Sequence, residues 1–483
     1  MLPEFQLQWN WLDAPAGGGG ELRATWARLR IAVGAETVTL VQEPGQGTFR
    51  EHITGSLYPL AEWIAFNWWS LVADARPGTQ ISQLRFAYRH GVGDDRGSWW
   101  RRSRRHVLRA ACDGFRWPDM LFVPEGRETR IVWMPDMGPD ARPGDRFASR
   151  GNSCVESAAF TATLASFVDA VTERLTGQGI TGTPLQEEWA AVRATGEDEA
   201  AFCRTAARLG LDPYAEAEPY EADILKAAEQ LTEPLASDFF NGVRPERIAD
   251  QLQWIARVRT LMGTAPEDAP LPTALVELRE DCADLSERFF APGRLDNPWD
   301  LGYEVAHRVR AWAGIDDTAP FDPAPLMGYR TEQVPYMDRG LVALGTRRGA
   351  DGPVLVSSRR FTDRPRRFLL ARALWHLICD PDDTFLIAAA HTHRQHVARG
   401  FALEVLAPAK GVASLLADPG HLVSAEDVEV IADDYGCGNI VVEHQLDNRV
   451  LAKDFTWPGQ PRAAAPAGGT KETKETKERG RGA

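Results

Sequence analysis

The segment RRFLLARALWHLICD, from Arg366 to Asp380, constrains the fold more than any other stretch of this chain. Its apolar residues recur at helical spacing, which predicts one amphipathic helix. Residues four apart share a face of a helix, so Arg372 and His376 are predicted to point in the same direction. The fold around this helix must therefore accommodate a guanidinium and an imidazole side by side.

Residues from about 301 to 450 resemble the ImmA/IrrE metallopeptidases, a family of bacterial zincin-like domains. The resemblance rests on four blocks that keep the family's order and spacing. They read LMGYRTEQVPYMDRGLVALGTRRGADGPVLVSSRR, RRFLLARALWHLI, VARGFALEVLAP and SAEDVEVIADDYGCGNIVVEHQLDNR. The second block is similar to the family's RRFTLAHELGHLL and the third to EANAFAAELLMP. The resemblance implies a zincin-like α+β fold for this region.

The catalytic positions of that family are degenerate in this chain. The resemblance places the first zinc ligand at Arg372, the general base at Ala373, the second ligand at His376 and the third at Val397. A guanidinium is cationic and cannot ligate a metal, and the other two replacements are apolar. We therefore expect the fold to survive, with no catalytic residues, no bound metal and no cofactor.

Two roles for Arg372 follow from that degenerate pocket. A buried guanidinium needs an anion, and the nearby acidic residues are Asp380, Asp382, Asp383 and Glu404. The favoured expectation is a structural ion pair that replaces the metal as a cross-link. The other is a pocket arginine that binds a ligand carboxylate or phosphate.

A relocated metal site is the competing hypothesis. His391, His393 and His396 lie close together in AAAHTHRQHVARG, and His396 directly precedes Val397. His393 and His396 are i,i+3 on a helix and could meet His376 on one face. Zinc accepts such ligands, so the alternative function is a zinc endopeptidase with a rearranged site.

A second stretch, Ser98 to Pro118, interleaves tryptophans and arginines. Trp99, Trp100, Arg101, Arg102 and Arg105 are its candidate binding residues. Such a mixture suits single-stranded nucleic acid, which is the second alternative function. The favoured interpretation is an amphipathic helix with an arginine-rich face, or a stretch that meets an acidic partner. That partner could be this chain's own middle section: of the net charge of −14, residues 151–465 carry −18.

The remaining pattern predicts a mixed α+β protein. We expect a small tryptophan-rich α+β domain over residues 1–150, with a helix over 57–72 and a hairpin around Glu125-Gly126. An all-α bundle follows over 151–294, then the zincin-like α+β domain over 295–455 and a disordered tail over 456–483.

The sequence favours a cytoplasmic location without membrane contact. It has no apolar run of membrane-spanning length, no signal-peptide pattern, and six scattered cysteines without a CxxC pair. Together with the resemblance, these features predict a catalytically inactive pseudopeptidase that acts through a protein partner. Its role would be regulatory, sensing or scaffolding, in bacterial stress response or phage defence.

Overall fold

The computed structural model of the chain describes eleven ranges of residues. They are 2–15, 18–43, 48–75, 98–111, 114–136, 146–266, 269–290, 298–327, 330–336, 340–416 and 423–450. These residues form a mixed α+β structure, which confirms the predicted fold class. The predicted tail lies outside the described residues.

The regular elements are numbered in chain order. The strands are β1 Phe5–Trp11, β2 Trp26–Val33, β3 Glu36–Thr37, β4 Val41–Gln42, β5 Phe49–Arg50, β6 Ile53–Ser56, β7 Asp119–Pro124, β8 Glu128–Met134, β9 Arg146–Phe147, β10 Gly151–Glu156, β11 Arg330–Gln333, β12 Leu341–Gly349, β13 Gly352–Ser357 and β14 Thr384–Ala388. The α-helices are α1 Gly20–Ala24, α2 Tyr58–Phe66, α3 Trp68–Ala73, α4 Ser98–Arg104, α5 Ser157–Gly177, α6 Pro184–Ala194, α7 Glu197–Arg208, α8 Glu221–Gln230, α9 Leu235–Gly242, α10 Ile248–Met262, α11 Thr273–Asp281, α12 Ala283–Phe290, α13 Pro298–Trp312, α14 Ala324–Met327, α15 Asp363–Cys379, α16 His393–Leu406, α17 Ala409–Leu415, α18 Ala425–Tyr435 and α19 Asn439–Gln445. Short 3-10 turns span Leu108–Ala111, Glu218–Tyr220 and Pro245–Arg247, and a π-helix spans Leu446–Val450.

The N-terminal part is built from small antiparallel sheets. β2 pairs with β1, β3 and β6, and β8 lies between β7 and β10. The predicted hairpin is confirmed as β7–β8, and Gly126 at its turn has a φ of 93°, which favours glycine. Phe5, Phe122 and Phe160 meet in the core of the N-terminal part, with ring centroids 5.1 to 5.8 Å apart.

The helix predicted over residues 57–72 is two helices, α2 and α3. Asn67 separates them, and its side-chain amide donates a 2.6 Å hydrogen bond to the Trp63 carbonyl. An asparagine side chain that bonds the backbone competes with the helical hydrogen bonds. The apolar spacing therefore predicted the burial of this segment correctly, but it did not predict the break at Asn67.

The middle of the chain is helical as predicted, but its helices do not form one bundle. α5 and α6 pack on the N-terminal sheets, and their apolar side chains belong to that core. α8, α9 and α10 cover one face of the C-terminal sheet, while α11 and α12 join the core on its other face. Helical periodicity shows that a face is buried and not which partner buries it. The domain limits at 150 and 294 stay predictions.

The C-terminal sheet has the order β11-β13-β12-β14, with β11 and β13 parallel and the other pairs antiparallel. Alternate residues of β14 face its two sides: Phe385 and Ile387 meet α15, and Leu386 and Ala388 meet α9 and α10. The sheet is thus buried on both faces, between α15 and the middle helices.

α13 crosses α16 at unusually short range. A Cβ at Gly302 would lie 2.7 Å from the Val397 carbonyl oxygen, and one at Gly400 would lie 3.0 Å from the Trp299 Cβ. Only glycine permits such an approach at these two positions. This crossing fixes the orientation of α16, which carries several of the candidate site residues.

Candidate functional site

Arg372 lies in the middle of α15 and is buried. Its Nη2 donates one hydrogen bond of 3.0 Å to the Ala388 carbonyl and a second, short one to the Gln395 Oε1. Burial lowers the pKa of Arg372 to about 9, with a further contribution from Arg399, while Asp238 acts in the opposite direction. The guanidinium is thus held by neutral oxygens in a buried site.

Gln395 connects Arg372 to a carboxylate from a distant part of the chain. Its Nε2 donates to the Asp238 Oδ2 at 3.0 Å and to the Leu386 carbonyl at 2.7 Å. The other oxygen of Asp238 accepts a 2.5 Å hydrogen bond from the Thr392 hydroxyl. Asp238, from α9, therefore lies against the first turn of α16, where a negative charge is favoured by the helix dipole.

The predicted direct ion pair of Arg372 is wrong. Each candidate carboxylate is engaged elsewhere or exposed, because nearer cations and donors compete for it. The Asp380 carboxylate bonds His376 and Arg394, Asp383 bonds Arg347 at 2.9 Å, Glu404 bonds His307 at 2.8 Å, and Asp382 is exposed. The cross-link at Arg372 is instead indirect and runs through Gln395 to Asp238.

His376 is buried one turn after Arg372. Its Nδ1 lies 2.7 Å from the Asp380 Oδ2, and its ring stacks on Phe385 with centroids 4.9 Å apart and planes 7° apart. Burial lowers the pKa of His376 and favours the neutral ring, although Asp380 acts in the opposite direction. The imidazole is thus fixed by packing and by one carboxylate.

Arg394 completes this cluster. It pairs with the Asp380 carboxylate, and its Nη1 lies 3.5 Å from the Asp238 Oδ2. Burial alone would raise the pKa of Asp380, but His376 and Arg394 lower it below its usual value. We call the buried residues that share these contacts the polar cluster: Asp238, Arg372, His376, Asp380, Thr392, Arg394 and Gln395. Its two cations and two carboxylates balance.

The other two replaced positions of the resemblance, Ala373 and Val397, are packed as apolar core. Ala373 and Val397 are both completely buried and belong to the same hydrophobic cluster. The Val397 carbonyl faces Gly302 at the close crossing of α13 and α16. A carboxylate at either position would have to displace well-packed apolar atoms.

The histidines proposed for a relocated metal site have separate surroundings. His393 stacks on Phe289 with centroids 4.7 Å apart, and burial, with Arg127, lowers its pKa to about 4. His396 lies 3.3 Å from His391, measured between the Nε2 of His396 and the Nδ1 of His391.

On its other side, His396 meets the N-terminal hairpin. Its Nδ1 lies 3.3 Å from the Arg130 Nη2 and 3.6 Å from the Glu125 Oε2. The histidines at 376, 393 and 396 therefore have different partners. Among the described residues, no group of three His, Cys, Asp or Glu side chains is arranged to hold a metal ion.

The arginines of the second stretch are paired within the chain. Arg102 forms a two-pronged contact with the buried Asp74 carboxylate, in which its Nε lies 2.7 Å from the Oδ2. Arg105 lies 2.9 Å from Glu216, and Arg101, which is 68% exposed, lies 4.0 Å from the same residue. The acidic middle section is thus the partner of Arg105, as one of the predicted alternatives stated. The side chains of Trp99 and Trp100 lie outside the described part.

The Asp74 carboxylate is the partner that Arg102 and His106 share at this second site. His106 contacts its Oδ2 at 3.0 Å, on the carboxylate that already holds Arg102. Burial alone would raise the pKa of Asp74, but Arg102 and His106 lower it to about 2. Arg102 also donates to the Arg208 carbonyl at the end of α7, so it ties the N-terminal part to the middle helices.

Comparison with known proteins adds no relative. No family model matches the chain, and no curated protein matches it. Within the described residues, no helix is both long enough and apolar enough to cross a bilayer.

Sequence reasoning missed four members of the polar cluster: Asp238, Thr392, Arg394 and Gln395. A local signal existed for Gln395, because Thr392 and Gln395 have the spacing of a helix N-terminus. The Thr392 side chain does accept from the Gln395 backbone N–H, at 3.4 Å. Asp238 had no local signal, since it lies 157 positions before Gln395 and meets it only in the folded chain.

Proposed function

We propose that residues 301–450 form a catalytically inactive zincin-like unit, and that the protein acts by binding a protein partner. Its role would be regulatory, sensing or scaffolding in the bacterial cytoplasm, in stress response or phage defence. The resemblance to ImmA/IrrE peptidases suggests this setting, and the geometry of α15 and α16 supports the loss of peptidase chemistry.

The observation that carries this proposal is the guanidinium of Arg372. It occupies the position at which the resemblance places the first zinc ligand, and Gln395 and the Ala388 carbonyl hold it there. A fixed cation repels a divalent metal ion, and it offers no lone pair. The positions of the base and the third ligand, Ala373 and Val397, are filled by buried apolar side chains.

The two alternatives need more than the observed contacts. A zinc endopeptidase would require His376 to exchange Asp380 and Phe385 for a metal and to meet His393 and His396. A nucleic-acid-binding surface would have to use Arg101, since Arg102 and Arg105 are committed to Asp74 and Glu216.

Metal analysis of the purified full-length chain tests the proposal. We expect far less than one zinc ion per chain, and the same low content in His376→Phe, which keeps an aromatic ring against Phe385. Circular dichroism of both proteins controls for folding. One zinc per wild-type chain, lost in a folded His376→Phe variant, would contradict the proposal.

A peptidase assay provides an independent check. The full-length chain is incubated with zinc and with any protein that co-purifies with it, in the presence and absence of a chelator. We expect no cleavage under either condition. Chelator-sensitive cleavage would show that the unit is an active metallopeptidase and would favour the rearranged site.

A further inference from the structure

A cavity of about 680 Å³ lies where the N-terminal part, the middle helices and the C-terminal unit meet. Its walls come from the end of α3, the β7–β8 turn, α7, α9, the end of α12 and the start of α16. Cavities of this size, lined by residues from several parts of a chain, are typical of small-molecule sites.

One side of this cavity is apolar. Val72 and Ala73 of α3, Pro124 of β7 and the ring of Phe289 contribute to it. The Phe289 ring stacks on His393, so these two rings form an aromatic wall. An apolar or aromatic body would displace water from this surface favourably.

The buried or paired acids around the cavity are already satisfied by the protein. Glu125 pairs with Arg130 at 2.9 Å, Glu233 pairs with Arg208 at 2.9 Å, and Asp238 accepts from Thr392 and Gln395. These carboxylates therefore have little capacity left for a cationic ligand.

Two arginines of α7 bring positive charge to the cavity. Arg204 and Arg208 are one turn apart on α7 and both line the cavity. Glu233 neutralises Arg208, but Arg204 makes no hydrogen bond or ion pair within the part of the chain that the structure describes. Asp382, which is exposed, lines the cavity as well and lies near Arg394.

We propose that this cavity binds a small organic anion with an apolar, preferably aromatic, body. Its carboxylate, sulfonate or phosphate group would lie at Arg204, and its body would contact Val72, Ala73 and Phe289. A guanidinium fork suits such oxyanions, and the apolar wall suits the rest of the molecule.

The occupant would also contact the polar cluster. Asp238, Thr392 and Arg394 belong to that cluster and line the cavity at the first turn of α16. Binding would therefore change the surroundings of α16, the helix whose Gln395 bonds Arg372. This inference goes beyond the proposed function, and it holds whether or not the C-terminal unit cleaves peptides.

The probe for this site is 8-anilinonaphthalene-1-sulfonate, an aromatic anion whose fluorescence rises in apolar surroundings. Titration of the folded full-length chain is expected to give saturable binding of one probe per chain. The uncharged analogue N-phenyl-1-naphthylamine is expected to bind about tenfold more weakly, because it lacks the group that meets Arg204. Equal affinity for the two probes would overturn the anionic part of the proposal.

Two variants locate the probe. Arg204→Glu is expected to weaken binding about tenfold, while Arg257→Glu, an equal charge change on an exposed residue of α10 that does not line the cavity, leaves it unchanged. Ser237→Trp, which fills the cavity from α9, is expected to abolish binding. Thermal unfolding confirms that each variant folds.

Unchanged binding in both Arg204→Glu and Ser237→Trp would overturn the proposal, since the probe would then occupy another surface. If Ser237→Trp fails to fold, Arg204→Glu against its Arg257→Glu control still decides the outcome. Neither measurement depends on metal content or cleavage, so this inference and the proposed function fail independently.

Discussion

Arg102 and Arg372 are both largely buried arginines, yet the protein satisfies them in different ways. Arg102 contacts the buried Asp74 carboxylate directly through two nitrogens, whereas Arg372 donates to an amide oxygen and a backbone carbonyl. When the arginine of a direct pair is removed, the buried carboxylate loses the guanidinium that balanced its charge. When a guanidinium held by neutral oxygens is removed, those oxygens only lose a hydrogen-bond donor. For these two arginines, the partner sets the contribution to stability more than the depth of burial does.

Removal of Arg102 is expected to have the largest effect. Arg102→Met takes the guanidinium away from the completely buried Asp74, which keeps its contact with His106, and removing one partner of a buried pair costs about 3–5 kcal/mol of unfolding free energy. Urea unfolding followed by circular dichroism measures it. A loss below about 1 kcal/mol would mean that the remaining contacts of Asp74, that of His106 among them, are enough to satisfy it, and the contrast with Arg372 would disappear.

Acid should affect the two regions in separate pH windows. The pKa of His393 is lowered to about 4 from 6.5, so the unfolded chain takes up this proton first and stability falls as the pH drops from about 6.5 to 4. This histidine alone accounts for about 3 kcal/mol. The pKa of Asp74 is lowered to about 2, so its contribution is complete above pH 3.8 and is lost below it.

Hydrogen exchange measured at several pH values separates these windows. Protection of α16 is expected to fall between pH 6.5 and 4, while that of α4 falls only at lower pH. His393→Phe, which keeps the stacking on Phe289, should remove the part of the first loss that His393 contributes, while His376 and His396, whose pKa values burial also lowers, contribute the rest. If the variant and the wild type lose stability equally over that range, His393 is not the group responsible.

Removal of Arg372 is expected to cost less than removal of Arg102. Arg372→Met takes a desolvated cation out of the core and leaves the Ala388 carbonyl without this donor, for a net loss of about 1–2 kcal/mol. The same urea experiment measures it beside Arg102→Met. A loss equal to that of Arg102→Met would show that Arg372 depends on the charge of Asp238 rather than on Gln395.

The smallest effect belongs to the exposed arginine. Arg101 is 68% exposed and lies 4.0 Å from Glu216, so Arg101→Met should change the unfolding free energy by no more than about 0.5 kcal/mol. It serves as the matched control for Arg102→Met in the same helix. A loss above 1 kcal/mol would indicate a role for Arg101 that the Glu216 contact does not explain.

Much of the local structure was predictable from the sequence. The spacing of apolar residues located α15 and the helical character of the middle of the chain, and the turn at Glu125-Gly126 located the β7–β8 hairpin. The replacements at the positions where the resemblance places catalytic residues could also be read directly, because Arg372, Ala373 and Val397 lack the side chains that such a site requires. The break at Asn67 was missed, because a side-chain hydrogen bond there outweighs the apolar pattern.

The partners of the candidate residues were harder to predict. Four nearby carboxylates were plausible for Arg372, and none of them contacts it in the described structure. Proximity in sequence misled, since Arg347 and His307 compete for two of these carboxylates from other elements. Asp380 does contact a residue of α15, but it is His376, four positions before it, and not Arg372.

Residue identity and local periodicity, which the sequence contains, are enough to show which side chains α15 carries and which helix faces of the protein are buried. Three features appear only in the tertiary structure. Asp238 lies against α16, Gln395 bonds Arg372, and three parts of the chain enclose one cavity. Contacts between distant segments depend on how the sheet and helices pack as a whole. No local pattern encodes them.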